Sequence, residues 1–253
     1  MHAFNLNDYI MSHVLNGREW HIPFLPTIHL PEFLTLHTLM IALGSFLMLY
    51  IFCFLYKRQA RVPTGMTNAL ETIIIFLRDD VVYPFLGEKD GRVMMPLFCT
   101  FFFFILILNL LGLFPLFSTA TANVNVTGAL AFVSLVFMVF GTILKNGLVG
   151  FGKALVPPGV PLILLLLVVP LEFAGLFIKA FALMIRLFAN MLAGHIVVLS
   201  FLGMVTILGW VALPAVFLAL FIYAFEVFVA FLQAYIFTLL SAVFIGQMYH
   251  PSH

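Results

Sequence analysis

Two long apolar stretches near the end of the chain, at 160–202 and 206–248, limit most strongly what it can fold into. Each is about twice as long as the roughly 20 apolar residues with which a helix crosses a bilayer. No water-soluble core could cover them, because 64% of the 253 residues are hydrophobic and only 8% are charged, against about a quarter charged in soluble domains. We therefore predict an all-α polytopic membrane protein.

The pattern predicts about five membrane helices plus one amphipathic helix on the membrane surface. The surface helix is indicated by Arg78, Asp79 and Asp80, which interrupt a run of regularly spaced Ile, Leu and Val residues. The last two helices are too long to cross upright, so we expect them to be strongly tilted and paired as a hairpin that turns near Gly203. Within a single membrane domain, 1–253, the predicted segments are an outer lead-in at 1–35, a first span at 36–56, the surface helix at 66–86, a helical hairpin at 93–117 and 129–144, and the long tilted hairpin at 160–248.

Basic residues are unevenly distributed among the connecting segments. The segment 57–92 holds six of the eleven Lys and Arg residues, whereas the segment 118–128 holds none. The segment before the first span has only Arg18. Because basic loops stay on the cytoplasmic side, we predict an N-terminus outside and a C-terminus in the cytoplasm.

The charge and cysteine content argue against several kinds of partner. The formal net charge is +1, and the basic residues form no patch of the kind that binds a phosphate backbone. The two cysteines, Cys53 and Cys99, have no metal-ligand spacing. We expect a lipid bilayer as the surroundings, no nucleic acid, no metal and no cofactor.

Few polar side chains interrupt the final hairpin. The candidates among them are five ionisable residues and two of the amides: Glu172, Lys179, Arg186, His195, Glu226, Asn190 and Gln233. A charge inside a membrane is costly and is a candidate for function. For Glu172 and Lys179 the competing interpretation is that they pair or extend to the interface and hold the hairpin together. Arg186, at mid-helix, favours function.

Helical periodicity gives these residues two sides. Seven residues make nearly two turns, so residues seven apart share a face. One face groups Glu172, Lys179, Arg186 and, close to it, Asn190. His195 lies nine positions beyond Arg186 and therefore points to the opposite face. Glu226 and Gln233 share a face of the last helix.

The chemistry of these groups separates their expected roles. Arginine stays protonated even when it is poorly solvated, so Arg186 cannot carry protons, but it can hold a carboxylate in its ionised form. His195 and Glu226 can exchange protons near neutral pH. The hairpin offers only Glu172 and Glu226 as carboxylates, and Glu226 fits the proton-exchanging side better. We therefore expect the carboxylate that meets Arg186 to come from another polypeptide.

Four motifs carry a resemblance to a known family. They are RLFANMLAGH at 186–195, NVNVTGALA at 123–131, NLLGLFP at 109–115 and EVFVAFLQAYIFTLL at 226–240. With them the chain resembles subunit a of the membrane sector of F-type ATP synthase, from about residue 93 to 248. The opening HVLNGREWHI is similar to bacterial members.

The resemblance implies a stator subunit with two proton half-channels against a ring of c subunits. Arg186 would face the ring carboxylate and separate the half-channels, and the residues of proton translocation would be Arg186, Asn190, His195, Glu226 and Gln233. Further candidates for lining the half-channels are Asn123, Asn125, Glu172 and Lys179. In some bacterial members the acid and the histidine exchange places between positions 195 and 226. The other implied partners are b-type peripheral stalk subunits and the rest of the ATP synthase.

Several alternatives remain open. A sodium-translocating version of the same machine is one, although the His195 and Glu226 pair favours protons. A proton-coupled secondary transporter is another, but such proteins usually show internal repeats, and none is visible here. A third is a membrane scaffold whose polar residues only aid packing.

The chain is not expected to be an enzyme by itself, because it lacks a GxxxxGK[ST] phosphate loop. The expected location is the bacterial inner membrane, with the mitochondrial inner membrane as the alternative.

Overall fold

The computed structural model describes residues 19–20, 28–29, 31, 35–55, 65–114, 117, 119–156, 160–208 and 213–250. Seven α-helices follow in chain order: α1 Leu36–Tyr50, α2 Met66–Phe76, α3 Tyr83–Leu113, α4 Val124–Val136, α5 Thr142–Ala154, α6 Leu162–Leu208 and α7 Leu213–Tyr249. Short π-helical segments continue α1 and join α2 to α3 and α4 to α5: Ile51–Leu55, Leu77–Val82 and Phe137–Gly141. A 3₁₀ turn, Ala120–Ala122, precedes α4. In the lead-in, β1 Glu19–Trp20 pairs antiparallel with β2 Ile28–His29.

Five helical segments of the described chain are long and apolar enough to cross a membrane. They are Leu36–Phe54, Met66–Leu113, Val124–Ala154, Ile163–Val198 and Val216–Tyr249. These segments confirm the predicted all-α polytopic membrane protein. The strong tilt of the last two helices stays a prediction.

Two glycines kink helices that would otherwise run straight on. Gly87 has φ 71° and ψ 168° inside α3, and Gly147 has φ 73° and ψ 173° inside α5. Glycine adopts a positive φ at little cost because it has no Cβ. The kink at Gly87 lies between the charged stretch around Arg78 and a second charged stretch at 88–92, after which α3 becomes apolar. The surface position predicted for that stretch remains a prediction.

The chain divides into two compact units. The first comprises Met1–Ile51, Phe103–Val126 and Arg186–Ala234, and the second comprises Phe52–Phe102, Thr127–Ile185 and Tyr235–His253. In the first unit, Leu36, Met40, Leu108 and Ala120 form a buried cluster between α1, α3 and the 3₁₀ turn.

In the second unit the C-terminal end of α7 is held by polar contacts. Lys145 Nζ donates to Asp90 Oδ2 at 2.5 Å, and His250 Nε2 lies 3.1 Å from the same oxygen. Asn146 Nδ2 donates to the carbonyl of Tyr249 at 3.1 Å. These contacts tie the end of α7 to the kinked helices α3 and α5.

Candidate functional site

The part of α6 that begins at Arg186 has two different faces. Leu187 and Met191 are buried, with exposed fractions of 0% and 1%. Arg186, Ala189 and Ala193 are exposed on the other side. The exposed side therefore carries the cation with the small Ala189 and Ala193 close to it and the larger Ile196 and Val197 further along, while Leu187 and Met191 lie on the buried side.

Arg186 makes no hydrogen bond or ion pair with any residue that the structure describes. Its guanidinium stays charged under all ordinary conditions. A charge in an apolar helix normally has a partner, and small neighbours such as Ala189 and Ala193 let another helix approach closely. The face around Arg186 can thus receive an anionic group from outside the described part of the chain.

An amide pair joins α6 to α7 on the buried side. Asn190 Nδ2 donates to Gln233 Oε1 at 3.3 Å, a long contact for a hydrogen bond. Gln233 is only 3% exposed, and its Nε2 has no hydrogen-bond partner among the described residues. The pair brings Asn190 toward α7, although the sequence had predicted it close to the Arg186 face.

Gly194 and Glu226 form the second contact between α6 and α7. Glu226 is 5% exposed. A Cβ at Gly194 would collide with Glu226 Oε1 and would lie 3.0 Å from its Cδ. The absent side chain of Gly194 is therefore what makes room for the carboxylate. The backbone of His195 continues α6, but its side chain lies outside the part of the structure that is described.

Replacing Gly194 with alanine is expected to destabilise the packing of α6 on α7. Forcing a methyl group into a filled site costs about 1–3 kcal/mol. The midpoint of thermal unfolding in detergent measures this loss. Gly175→Ala is the matched control, because Gly175 is in the same helix with nothing within 4 Å of a Cβ there. Equal midpoints for the two variants would contradict the contact. Adding Glu226→Ala to Gly194→Ala should recover part of the loss.

Asn109 is a polar residue of this region that the sequence analysis quoted within a motif but did not assign to the site. It is fully buried, and its Nδ2 donates to the carbonyl of Ala230 at 3.4 Å, while its Oδ1 has no partner among the described residues. Tyr223 Oη donates to the carbonyl of Leu113 at 3.1 Å. Both contacts tie α3 to the face of α7 that carries Glu226. The signal that could have found Asn109 is an amide within an apolar span.

Asn123 and Asn125 lie where the 3₁₀ turn leads into α4. Asn123 Oδ1 accepts from the backbone N–H of Asn125 at 2.9 Å, so its side chain caps the start of the helix. Asn125 itself is exposed. The amide of Asn123 thus has a local structural task beside any role in lining a channel.

Glu172 and Lys179 belong to the second unit. Glu172 is exposed. Lys179 Nζ donates to Gln247 Oε1 at 3.1 Å and lies 5.4 Å from the centre of the Phe244 ring. For Lys179 these contacts favour the interpretation that it holds α6 and α7 together.

Among the described residues, no three His, Cys, Asp or Glu side chains lie close enough together to hold a metal ion. Cys53 is exposed, Cys99 is partly buried, and both thiols are free.

Five described helices are long and apolar enough to cross a membrane, and they define a multi-pass membrane protein. One of its helices exposes an arginine, and the next one buries a glutamate. The chain belongs to the family described as ATP synthase A chain, whose model matches residues 38–246.

Relatives of the chain carry the same description. An ATP synthase subunit a of Anaeromyxobacter dehalogenans (strain 2CP-C) is 46% identical over 217 residues, which are 84% of this chain and 57% of that relative. The subunit a of Chloroherpeton thalassium is 41% identical, over 96% of this chain and 77% of the relative. That of Myxococcus xanthus is 38% identical, over 95% and 87%. The chain thus spans little more than half the length of the first relative.

Proposed function

We propose that the chain is the stator subunit of the membrane sector of an F-type ATP synthase. It forms two proton half-channels against a ring of c subunits and couples proton flow to rotation of the ring and to ATP synthesis. Family membership supports the general role. The chain itself does not catalyse ATP synthesis or hydrolysis.

The observation that carries the proposal is the exposed position of Arg186 beside the small residues Ala189 and Ala193. An arginine that only held the hairpin together would have a partner in α7, as Lys179 has in Gln247. Arg186 instead is open to a carboxylate on a passing c subunit. Its fixed charge drives that carboxylic acid to release its proton and blocks direct leakage between the half-channels.

The outer half-channel would use the opposite, buried side of α6. On the side toward α7, Asn190 contacts Gln233 and Gly194 contacts Glu226. His195 is the proposed proton-exchanging partner of Glu226. Asn123 and Asn125 are proposed at its mouth. Glu172 is proposed near the inner half-channel. Lys179 stays a candidate for lining a half-channel, beside its contact with Gln247.

The other assignments follow from the same proposal. The partners are the c-ring, b-type stalk subunits and the remaining ATP synthase. The location is a bacterial inner membrane, with the N-terminus outside and the C-terminus in the cytoplasm.

Reconstitution in vesicles tests the proposal against a secondary transporter. Vesicles with the chain alone, with the c-ring alone and with both are given a membrane potential, and proton uptake is followed with a pH-sensitive dye. We expect uptake above background only when both are present and the ring carboxylate is intact. Uptake by the chain alone would favour the transporter. Uptake that requires sodium, measured in a parallel arm, would assign the coupling ion to sodium.

A further inference from the structure

His37 is a buried ionisable residue to which the sequence analysis gave no role. It lies in the first turn of α1 and is 3% exposed. Its ring donates a hydrogen bond to the backbone carbonyl of Thr119, just before the 3₁₀ turn. The neighbours of this contact, Leu36 and Ala120, belong to the apolar cluster of the first unit.

The segment 119–123 is held on one side by α3. Thr119 Oγ1 donates to the carbonyl of Gly112 at 3.3 Å. A Cβ at Gly112 would lie 2.7 Å from Thr119 Cγ2, so α3 and this segment meet without room for a side chain. His37 supplies a contact from α1. Thr119 is therefore fixed between α1 and α3.

The turn itself contains a buried hydroxyl that does not help to hold it. The hydroxyl of Thr121 is buried and has no hydrogen-bond partner among the residues described. Leaving a buried donor without a partner is unfavourable. Within the described chain, the side chain of Thr121 therefore adds no hydrogen bond that would hold the turn in place, and the hydrogen bonds of this segment to α1 and α3 are made at Thr119.

The end of the turn carries the proposed outer mouth. Asn123 follows the turn directly and caps the start of α4 through the N–H of Asn125. A shift at Thr119 would move both asparagines together. We propose that His37 is a positioning residue that holds the 119–123 segment, and with it Asn123, at the outer mouth of the half-channel. This rests on the proposed function.

A histidine is required here by its N–H group and not by its size. An apolar side chain would suit the surroundings of Leu36 and Ala120, but it would leave the carbonyl of Thr119 buried without its donor. Asparagine and glutamine at position 37 would each place an N–H donor near the position that one of the two ring nitrogens of His37 occupies. They should therefore keep the segment in position, whereas leucine should not.

The test measures the position of the segment by thiol labelling in the assembled complex. Cys53 and Cys99 are replaced by serine, and Val124→Cys is the reporter, since Val124 is 42% exposed and next to Asn123. We expect His37→Leu to change the labelling rate by a membrane-impermeant maleimide about fivefold, the effect of one lost hydrogen bond. His37→Asn or His37→Gln should restore the rate. Phe46→Leu, on the exposed side of α1, should leave it unchanged.

The outcomes separate this inference from the proposed function. Labelling does not require proton flow, so an unchanged rate in His37→Leu overturns the role of His37 even if the chain is a stator subunit. The same change in the leucine and both amide variants also overturns it. If the leucine variant does not assemble, His37→Met, which lacks the donor but packs flexibly, replaces it. ATP-driven proton pumping, measured in parallel, should fall with leucine and recover with the amide that restores labelling.

Discussion

Replacing Arg186 with alanine is expected to abolish ATP-driven proton pumping by the assembled complex, down to the level of vesicles that lack the ring. The expected loss is complete because the exposed neighbours of Arg186, Ala189 and Ala193, carry no charge. The other cation of that face, Lys179, lies two turns away and is bound to Gln247. Without the fixed cation, a c-subunit carboxylic acid would have nothing to hold it ionised between the half-channels. The measurement is quenching of a pH-sensitive dye in inverted membrane vesicles.

Two further variants make this result specific. Arg92→Ala removes the same side chain from an exposed position and should pump at the original rate. Arg186→Lys keeps a charge but loses the planar fork that binds a carboxylate with two hydrogen bonds, so it should remain strongly impaired. Because Arg186 is exposed and has no bond within the described chain, the alanine variant should assemble normally. Pumping that survives in Arg186→Ala would rule out the proposed stator role.

The membrane class of the fold could be predicted because it depends only on the length of the apolar stretches. Local details that depend on packing could not. Gly203 was expected to mark the turn of the last hairpin, yet it lies buried inside α6, which continues to Leu208. The kinks fall instead at Gly87 and Gly147, where the backbone has a positive φ. A glycine alone does not reveal whether the backbone around it is helical or kinked.

In the candidate site, too, helical periodicity could predict which residues share a face of one helix, but not which residues of two helices touch. Periodicity predicted that Glu226 and Gln233 share a face, and both are buried on α7. It could not predict that Gln233 pairs with Asn190, since that bond depends on how α6 and α7 are aligned along each other. The sequence also could not predict the role of Gly194. That role depends on Glu226 occupying the space where a side chain at position 194 would lie.

Replacing Glu226 with glutamine should reduce both proton pumping and ATP synthesis by about a hundredfold, a typical contribution of a positioned proton-transfer group. The carboxamide has nearly the same shape, so the packing against Gly194 should persist. It cannot take up and release a proton in the relevant pH range. Glu88→Gln, the same change at an exposed position, should have no effect. Normal pumping by Glu226→Gln would remove Glu226 from the proton path.

A double exchange tests whether Glu226 works together with His195. The family resemblance implies members in which the acid and the histidine occupy the opposite positions. We therefore expect His195→Glu with Glu226→His to pump faster than the product of the two single effects allows. Such non-additivity is the mark of residues that act as one unit. If the two effects simply multiply, the residues act independently, and the outer path must then be assigned to Glu226 with Gln233 and Asn190, without the histidine. The packing of Gly194 against Glu226 gives a further constraint, because histidine at 226 must fit the space that this glycine leaves open.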